Sequence, residues 1–221
     1  MHVIVTGYSG VLGRAVIAAL SENADRVVGI DQAAEPLAAT GVHQITGVDL
    51  TDPEATRSAM QQAASVLGHV DAVVHLVGAF SWIPVETSTV ADWRSLYTAN
   101  VETTLNVAQA ALLFLAEGGN ITCVGAASAQ PAGAGMAPYG ASKSAVARLV
   151  EGLSQELRPR RIRVNAIAPA IIDTPRNRAD MPDADPRDWT TPAAIAEVIR
   201  FLCTPASRAL NGAVIPVTNN A

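Results

Sequence analysis

Thr6-Gly7-Tyr8-Ser9-Gly10-Val11-Leu12-Gly13 follows a short β-branched run, His2–Thr6, and leads into an Ala/Leu-rich stretch, Val11–Ser21. A strand, a glycine-rich turn and a helix in that order read as a dinucleotide-binding turn of the form Gly-x-x-Gly-x-x-Gly. Gly7 permits the tight turn, Gly10 lets backbone N–H groups approach a pyrophosphate, and Gly13 lets helix and strand pack closely. The positive end of the helix faces the phosphates. Tyr8, Ser9, Val11 and Leu12 complete the expected cofactor contact.

Working outward, short β-branched runs recur at Arg26–Ile30, Gln44–Val48, Val70–Val77, Asn120–Gly125, Arg163–Ile167 and Ala213–Val217. The central ones are nearly all apolar, as strands covered on both faces are. Helix patterns fall between them at Pro53–Leu67, Val90–Ala116, Pro138–Leu157 and Pro192–Leu202, with Asp52-Pro53 and Thr191-Pro192 as start signals. The alternation predicts an α/β, Rossmann-type, doubly wound fold. Its mainly parallel seven-stranded sheet carries helices on both faces, in three layers, as a single domain over 1–221. Ala170–Thr190, rich in Pro, Asp and Arg, reads as an irregular substrate loop.

The 221 residues hold 15 Lys+Arg against 20 Asp+Glu, a net charge of −5, which argues against an electrostatic nucleic-acid binder. A hydrophobic fraction of 49% excludes a disordered chain. Cys123 and Cys203 form neither a disulfide framework nor a zinc pattern, so no metal is expected. No apolar run approaches the ~20 residues of a membrane span, and no signal peptide is evident. A cytoplasmic protein is expected.

Asp31 ends the second strand about 20 residues beyond the turn, where a carboxylate accepts the adenosine ribose hydroxyls and repels a 2′-phosphate. No Lys or Arg immediately precedes Gly10 or follows Asp31, so NAD(H) is the expected cofactor. Asp49-Leu50 and Val77-Gly78 lie at further strand ends, where ligands bind in open α/β sheets. Tyr139 and Lys143 stand four apart on one helix face. An ammonium beside a phenol favours phenolate and lowers its pKa from ~10, fitting Tyr139 as a general acid or base.

Together these features resemble the short-chain dehydrogenase/reductase family, over essentially the whole chain. The resemblance implies a nicotinamide cofactor, Tyr139 as proton donor, Lys143 on the nicotinamide ribose, and Asn100 holding a water in a proton relay. It also implies that Pro169, Ile172 and Thr174 contact the nicotinamide end. His75-Leu76-Val77-Gly78 replaces the family's usual Asn-Asn-Ala-Gly, and His75 reads as a strand-end packing residue. The family Ser that normally lies thirteen residues before the Tyr is Ala126 here, with Ser128 the nearest hydroxyl. In this respect the chain looks like the dihydropteridine reductases, NADH-using members that carry Ala there and reduce a quinonoid ring.

The expected activity is hydride transfer between NAD(H) and a small carbonyl, alcohol or conjugated C=N/quinonoid substrate. The substrate walls are Ala126, Ser128, Phe80, Trp82, Met136 and the 170–190 loop. A quinonoid dihydropteridine reductase is the narrower alternative, and a non-catalytic NAD(H)-binding sensor the alternative of another class. The family's helix pairing implies a homodimer or homotetramer.

Overall fold

The computed structural model describes residues 1–22, 26–37 and 41–218. Seven strands form one sheet: β1 (His2–Thr6), β2 (Arg26–Ile30), β3 (His43–Ile45), β4 (Val70–His75), β5 (Leu115–Val124), β6 (Arg163–Pro169) and β7 (Val214–Val217). Their order is β3-β2-β1-β4-β5-β6-β7, and every pairing is parallel. The strand order reverses between β1 and β4, which opens a crevice beyond their carboxyl ends.

The period-two alternation of each strand feeds two cores. Ile4, Val73 and Ile121 point into one, with Met60 and Ala63 of α2 (Pro53–Leu67), Val107 of α4 (Thr103–Ala111), and Val146 and Val150 of α5 (Ala137–Glu156). Val3, Val5 and Val74 point into the other, with Val16 and Leu20 of α1 (Val11–Ser21) and Ile195 and Ile199 of α7 (Pro192–Cys203). Both faces are therefore covered, which is why the strands read as apolar throughout.

Three expectations are corrected. The strand expected at Gln44–Val48 is β3 at His43–Ile45; Gly47, at φ +70°, turns the chain away from the sheet. The helix expected over Val90–Ala116 is interrupted. α3 (Val90–Tyr97) runs into a π-helical turn, Thr98–Glu102, before α4. Thr103 Oγ1 donates to the Ala99 carbonyl at 2.8 Å and Thr104 Oγ1 to the Asn100 carbonyl at 2.6 Å. These side-chain bonds back to i−4 carbonyls satisfy the widened turn. The chain then leaves the helix at Ala111 and pairs from Leu115 as β5.

Ala170–Thr190 is not irregular. It carries α6 (Pro175–Asp180), begun by Thr174, whose Oγ1 accepts from Asn177 N at 3.1 Å. Ile172 bridges Thr190, Asp173 N donates to the Thr190 carbonyl, and Trp189 is buried. The Thr174-Pro175 pair is the same start signal that marks α2 and α7.

Candidate active site

The glycine-rich turn sits at the carboxyl end of β1. Gly7 has φ +75°, a region costly for any residue with a Cβ. A Cβ on Gly13 would lie 2.2 Å from the Gly7 carbonyl oxygen, so helix and turn meet with no room between them. A Cβ on Gly10 would meet only that same oxygen, at 3.6 Å, and the helix it begins has no side-chain cap. α2, α3, α6 and α7 are capped by Asp52, Thr89, Thr174 and Thr191. The first N–H groups of α1 thus lie beside an open glycine with no capping oxygen, an arrangement that fits a dinucleotide pyrophosphate.

Asp31 is held beside this turn. Its Oδ2 accepts from Ser9 N at 2.9 Å and its Oδ1 from Ala33 N at 3.1 Å, which fixes the carboxylate at the end of β2. Arg14, one helical turn past Gly10, donates Nε–H to the Ser9 carbonyl at 2.9 Å. This cation was missed in the sequence because it neither precedes Gly10 nor follows Asp31; its i+4 spacing from Gly10 would have placed it there.

Tyr8 requires a correction. Its side chain is wholly buried, with the ring against Gly29 of β2: a Cβ on Gly29 would come within 2.6 Å of it. The phenol packs under the turn, so any contact of Tyr8 with a cofactor falls to its backbone. Burial, and then the charge of Asp31, raises its pKa. Leu12 joins the same core from partial burial, and Val11 is exposed.

Asp49 and Leu50 divide. Asp49 Oδ1 accepts both N–H and O–H of Thr51, which holds its carboxyl below the usual range, and Leu50 is buried. Asn106 of α4 donates to the Leu50 carbonyl at 2.9 Å, so this loop is tied to the helix layer.

Beyond β4 the chain passes through Val77-Gly78-Ala79, and here the expected catalytic groups converge. Asn100 Oδ1 accepts from Ala79 N at 2.9 Å, and its Nδ2 donates to the Ala79 carbonyl at 3.0 Å and to Ser142 Oγ at 2.9 Å. Ser142 Oγ in turn donates to the Tyr139 carbonyl at 2.7 Å. Lys143 Nζ donates to the Val124 carbonyl at the end of β5, at 2.9 Å. A Cβ on Gly78 would lie 2.6 Å from Asn100 Oδ1 and 3.0 Å from Lys143 Nζ. The absent side chain at 78 is therefore what lets both approach the strand end. Ser142 and the Val124 carbonyl were not singled out in the sequence; only Ser142, between Tyr139 and Lys143, carried a usable signal.

Electrostatically the cluster is dry. Burial pushes Lys143 down to about 8 and Tyr139 up to about 12. This reverses the direction expected for the phenol. Desolvation disfavours the phenolate, and it is the cause of the shift. His75 is buried, bonded to Thr6 Oγ1 through Nδ1 at 2.8 Å and to Thr103 Oγ1 through Nε2 at 3.3 Å. Burial, and then the Lys143 charge, pushes it to about 3, so it is a neutral strut.

On the substrate side, Phe80 meets Tyr139 edge to face, with ring centroids 4.9 Å apart at 85°. Trp82 Nε1 donates to the Ala134 carbonyl at 3.0 Å, beside Met136. Ala126 is extended and begins a short 3₁₀ turn, Ala127–Ala129, that contains Ser128. From the other side, β6 ends at Pro169, and Ile172 and Thr174 are locked by α6: the Ile172 carbonyl accepts from Asn177 Nδ2 at 2.8 Å.

Comparison with known proteins agrees with this geometry. Residues 11–219 match the family model described as Enoyl-(Acyl carrier protein) reductase. The D-threitol dehydrogenase of Mycolicibacterium smegmatis is 28% identical over 95% of this chain and 88% of its own. The gluconate 5-dehydrogenase of Gluconobacter oxydans is 28% identical over 97% and 91%. A short-chain dehydrogenase from Burkholderia cenocepacia, solved in complex with NADP, superposes with a TM-score of 0.88 at 28% identity over 99% of this chain and 96% of that one. With the parallel sheet, the glycine turn and the Tyr139–Lys143–Asn100 cluster in place, the chain belongs to the short-chain dehydrogenase/reductase family of oxidoreductases.

Proposed function

We propose that this oxidoreductase moves a hydride between NAD(H) and a small carbonyl or alcohol, with Tyr139 as the proton donor or acceptor. The observation that carries the reading is the convergence of Lys143 and Asn100 on Gly78-Ala79, tied to Tyr139 through the Ser142 bond to its main-chain carbonyl. The nicotinamide supplies or takes the hydride. The protein's part is to hold the dinucleotide and to supply the proton. Gly7, Ser9, Gly10 and Gly13 would hold the pyrophosphate, Asp31 the adenosine ribose, Val77 and Gly78 the cofactor beyond β4, and Pro169, Ile172 and Thr174 its nicotinamide end. In reduction, Tyr139 would give its proton to the substrate oxygen as C=O becomes CH–OH.

Lys143 holds the nicotinamide ribose and favours phenolate once the pocket is filled. Asn100 has its side-chain amide committed to Ala79 and Ser142. The water that the resemblance gives it would have to share its main-chain carbonyl with Thr104 Oγ1, which donates to that oxygen at 2.6 Å. A sensor has no use for these buried polar groups, whereas an enzyme does.

Initial rates with NADH and NADPH against ketones, aldehydes and quinones test the reading. NADH is expected to have the lower KM, and Tyr139→Phe to abolish turnover while cofactor affinity holds. A clear NADPH preference, with the 2′-phosphate near Arg14, overturns the cofactor assignment. The reading includes a homodimer or homotetramer, checked by light scattering at micromolar concentration; α3 and α4 present Val90, Trp93, Tyr97 and Leu105 as exposed apolar groups. It also includes a reducing, cytoplasmic compartment, which suits two buried cysteines that form no disulfide. Among the described residues no helix is long and apolar enough to cross a membrane.

A further inference from the structure

Phe80 is 50% exposed and belongs to neither hydrophobic cluster, so its ring adds little to the core. The segment that carries it is nonetheless braced at both ends. At one end Ala79 is held by Asn100, whose Oδ1 accepts from its N–H at 2.9 Å and whose Nδ2 donates to its carbonyl at 3.0 Å. At the other, Trp82 Nε1 donates to the Ala134 carbonyl at 3.0 Å and Ile83 N to the Gly135 carbonyl at 2.8 Å. Gly135, at φ +73°, lies against the indole, where a Cβ would come within 2.2 Å of it. Residues 79–83 and the loop that leads into α5 are thus tied into one piece.

This piece brings two rings together: Phe80 meets Tyr139 edge to face, with centroids 4.9 Å apart. The backbone of Tyr139 is fixed from the other side. Ser142 Oγ donates to its carbonyl at 2.7 Å, and Asn100 Nδ2 donates to that same Oγ at 2.9 Å. One amide therefore anchors both rings, and the path Asn100–Ala79–Phe80–Tyr139–Ser142 returns to Asn100. Within it, the ring contact is the link that acts on the side-chain torsions of Tyr139. Hydrogen bonds to the backbone fix where the phenol is rooted; the torsions decide where its oxygen points. An edge-to-face pair favours its geometry by about twofold to tenfold beyond the apolar area it buries.

We propose that Phe80 is a positioning residue, whose ring holds the Tyr139 phenol in the orientation that proton transfer uses. This role rests on the hydride-transfer reading above. The test is single-turnover oxidation of NADH by the full chain with acetaldehyde and with benzaldehyde. Phe80→Ala should lower the maximal rate about tenfold for both aldehydes, the upper end of the ring pair's bias, while NADH affinity from fluorescence titration holds. The loss is shared because both aldehydes take the same proton. A residue that merely walled the pocket would instead raise the half-saturating concentration of benzaldehyde and spare acetaldehyde. Phe80→Tyr keeps a ring on the phenol and should recover most of the rate; Phe80→Leu, which keeps apolar bulk without a ring, should not.

A second readout does not depend on turnover. The chain holds three tyrosines, Tyr8, Tyr97 and Tyr139, so 3-fluorotyrosine labelling gives a fluorine NMR spectrum in which Tyr139→Phe identifies the Tyr139 signal. In Phe80→Leu the transverse relaxation rate of that signal should change about twofold as the ring is released into motion, with Tyr8 and Tyr97 unaffected. An unaltered Tyr139 relaxation rate, or a loss confined to the half-saturating concentration of benzaldehyde, overturns the positioning role and leaves hydride transfer standing. If the unsubstituted protein oxidises NADH with no aldehyde, ketone or quinone, the hydride-transfer reading falls, and the Tyr139 signal still decides whether Phe80 holds the ring.

Discussion

Lys143→Met should make the ligand-free protein more stable at neutral pH and less stable at high pH. Lys143 is 5% exposed, and its one hydrogen bond is to the Val124 carbonyl. Burial lowers its pKa from the ordinary 10.5 to about 8. Between these values the unfolded chain still binds a proton that the folded chain has released, so stability rises with pH across that window. Below about 8 the folded state carries the ammonium at its full desolvation cost. At 1.36 kcal/mol for each tenfold in the proton equilibrium, the swing is about 3 kcal/mol.

The neighbours do not blur it. In the folded protein His75 lies near 3 and Cys123 and Tyr139 near 12, and the titration of these groups in the unfolded chain is common to both proteins, so the difference between the two reports Lys143. Methionine removes the charge and leaves the Val124 carbonyl without its donor, at about 1 kcal/mol. The variant should therefore be about 2 kcal/mol more stable at pH 7 and about 1 kcal/mol less stable near pH 10.5, while losing turnover. Urea unfolding of both proteins across this range reads the difference directly. A difference that stays constant within about 1 kcal/mol from pH 7 to 10.5 refutes the claim that the site holds a desolvated lysine.

Gly78→Ala places a methyl group 2.6 Å from Asn100 Oδ1 and 3.0 Å from Lys143 Nζ. A displacement of ~1 Å at these groups should cost on the order of 10² in kcat, and cofactor affinity measured by fluorescence titration should fall with it, since Gly78 and Lys143 both belong to the proposed cofactor site. Gly13→Ala meets the Gly7 carbonyl at 2.2 Å, so cofactor affinity and thermal stability should fall together, the latter by about 1–3 kcal/mol. Ala126→Ser restores a donor and should raise kcat/KM for ketones by about tenfold or more; no gain would contradict the account of the missing hydroxyl.

The parallel sheet was legible because each central strand is apolar on both faces, and β1, β2, α1 and α2 lie where their residues placed them. Tyr139 and Lys143 were legible because i and i+4 share a helix face whatever the tertiary context. Asn100 was legible only through resemblance. Its setting depends on a π-turn satisfied by two threonine hydroxyls, and an apolar repeat that continues through 98–102 does not show where a helix widens. The phenol's pKa was misjudged because i,i+4 spacing suggests a neighbour's charge and does not report the loss of water around the group, and burial is what raises it here.

The glycine-rich turn shows the same limit from another side. Read as a string, Tyr8 and Ser9 are two spacer positions. In the fold Ser9 gives its N–H to Asp31, while Tyr8 drives its ring down onto β2. That ring fits only because Gly29 has no side chain, and Gly29 lies within a β-branched run where nothing in the local pattern explains it. A glycine inside a strand marks a close approach by something else, and here it is the phenol of the turn itself. Bulk placed at Tyr8 and removed at Gly29 wedges the turn against β2 from below, while Asp31 ties it from above. The Asp31 carboxylate and the turn amides, the groups proposed to take the ribose and the pyrophosphate, are thereby held as one piece.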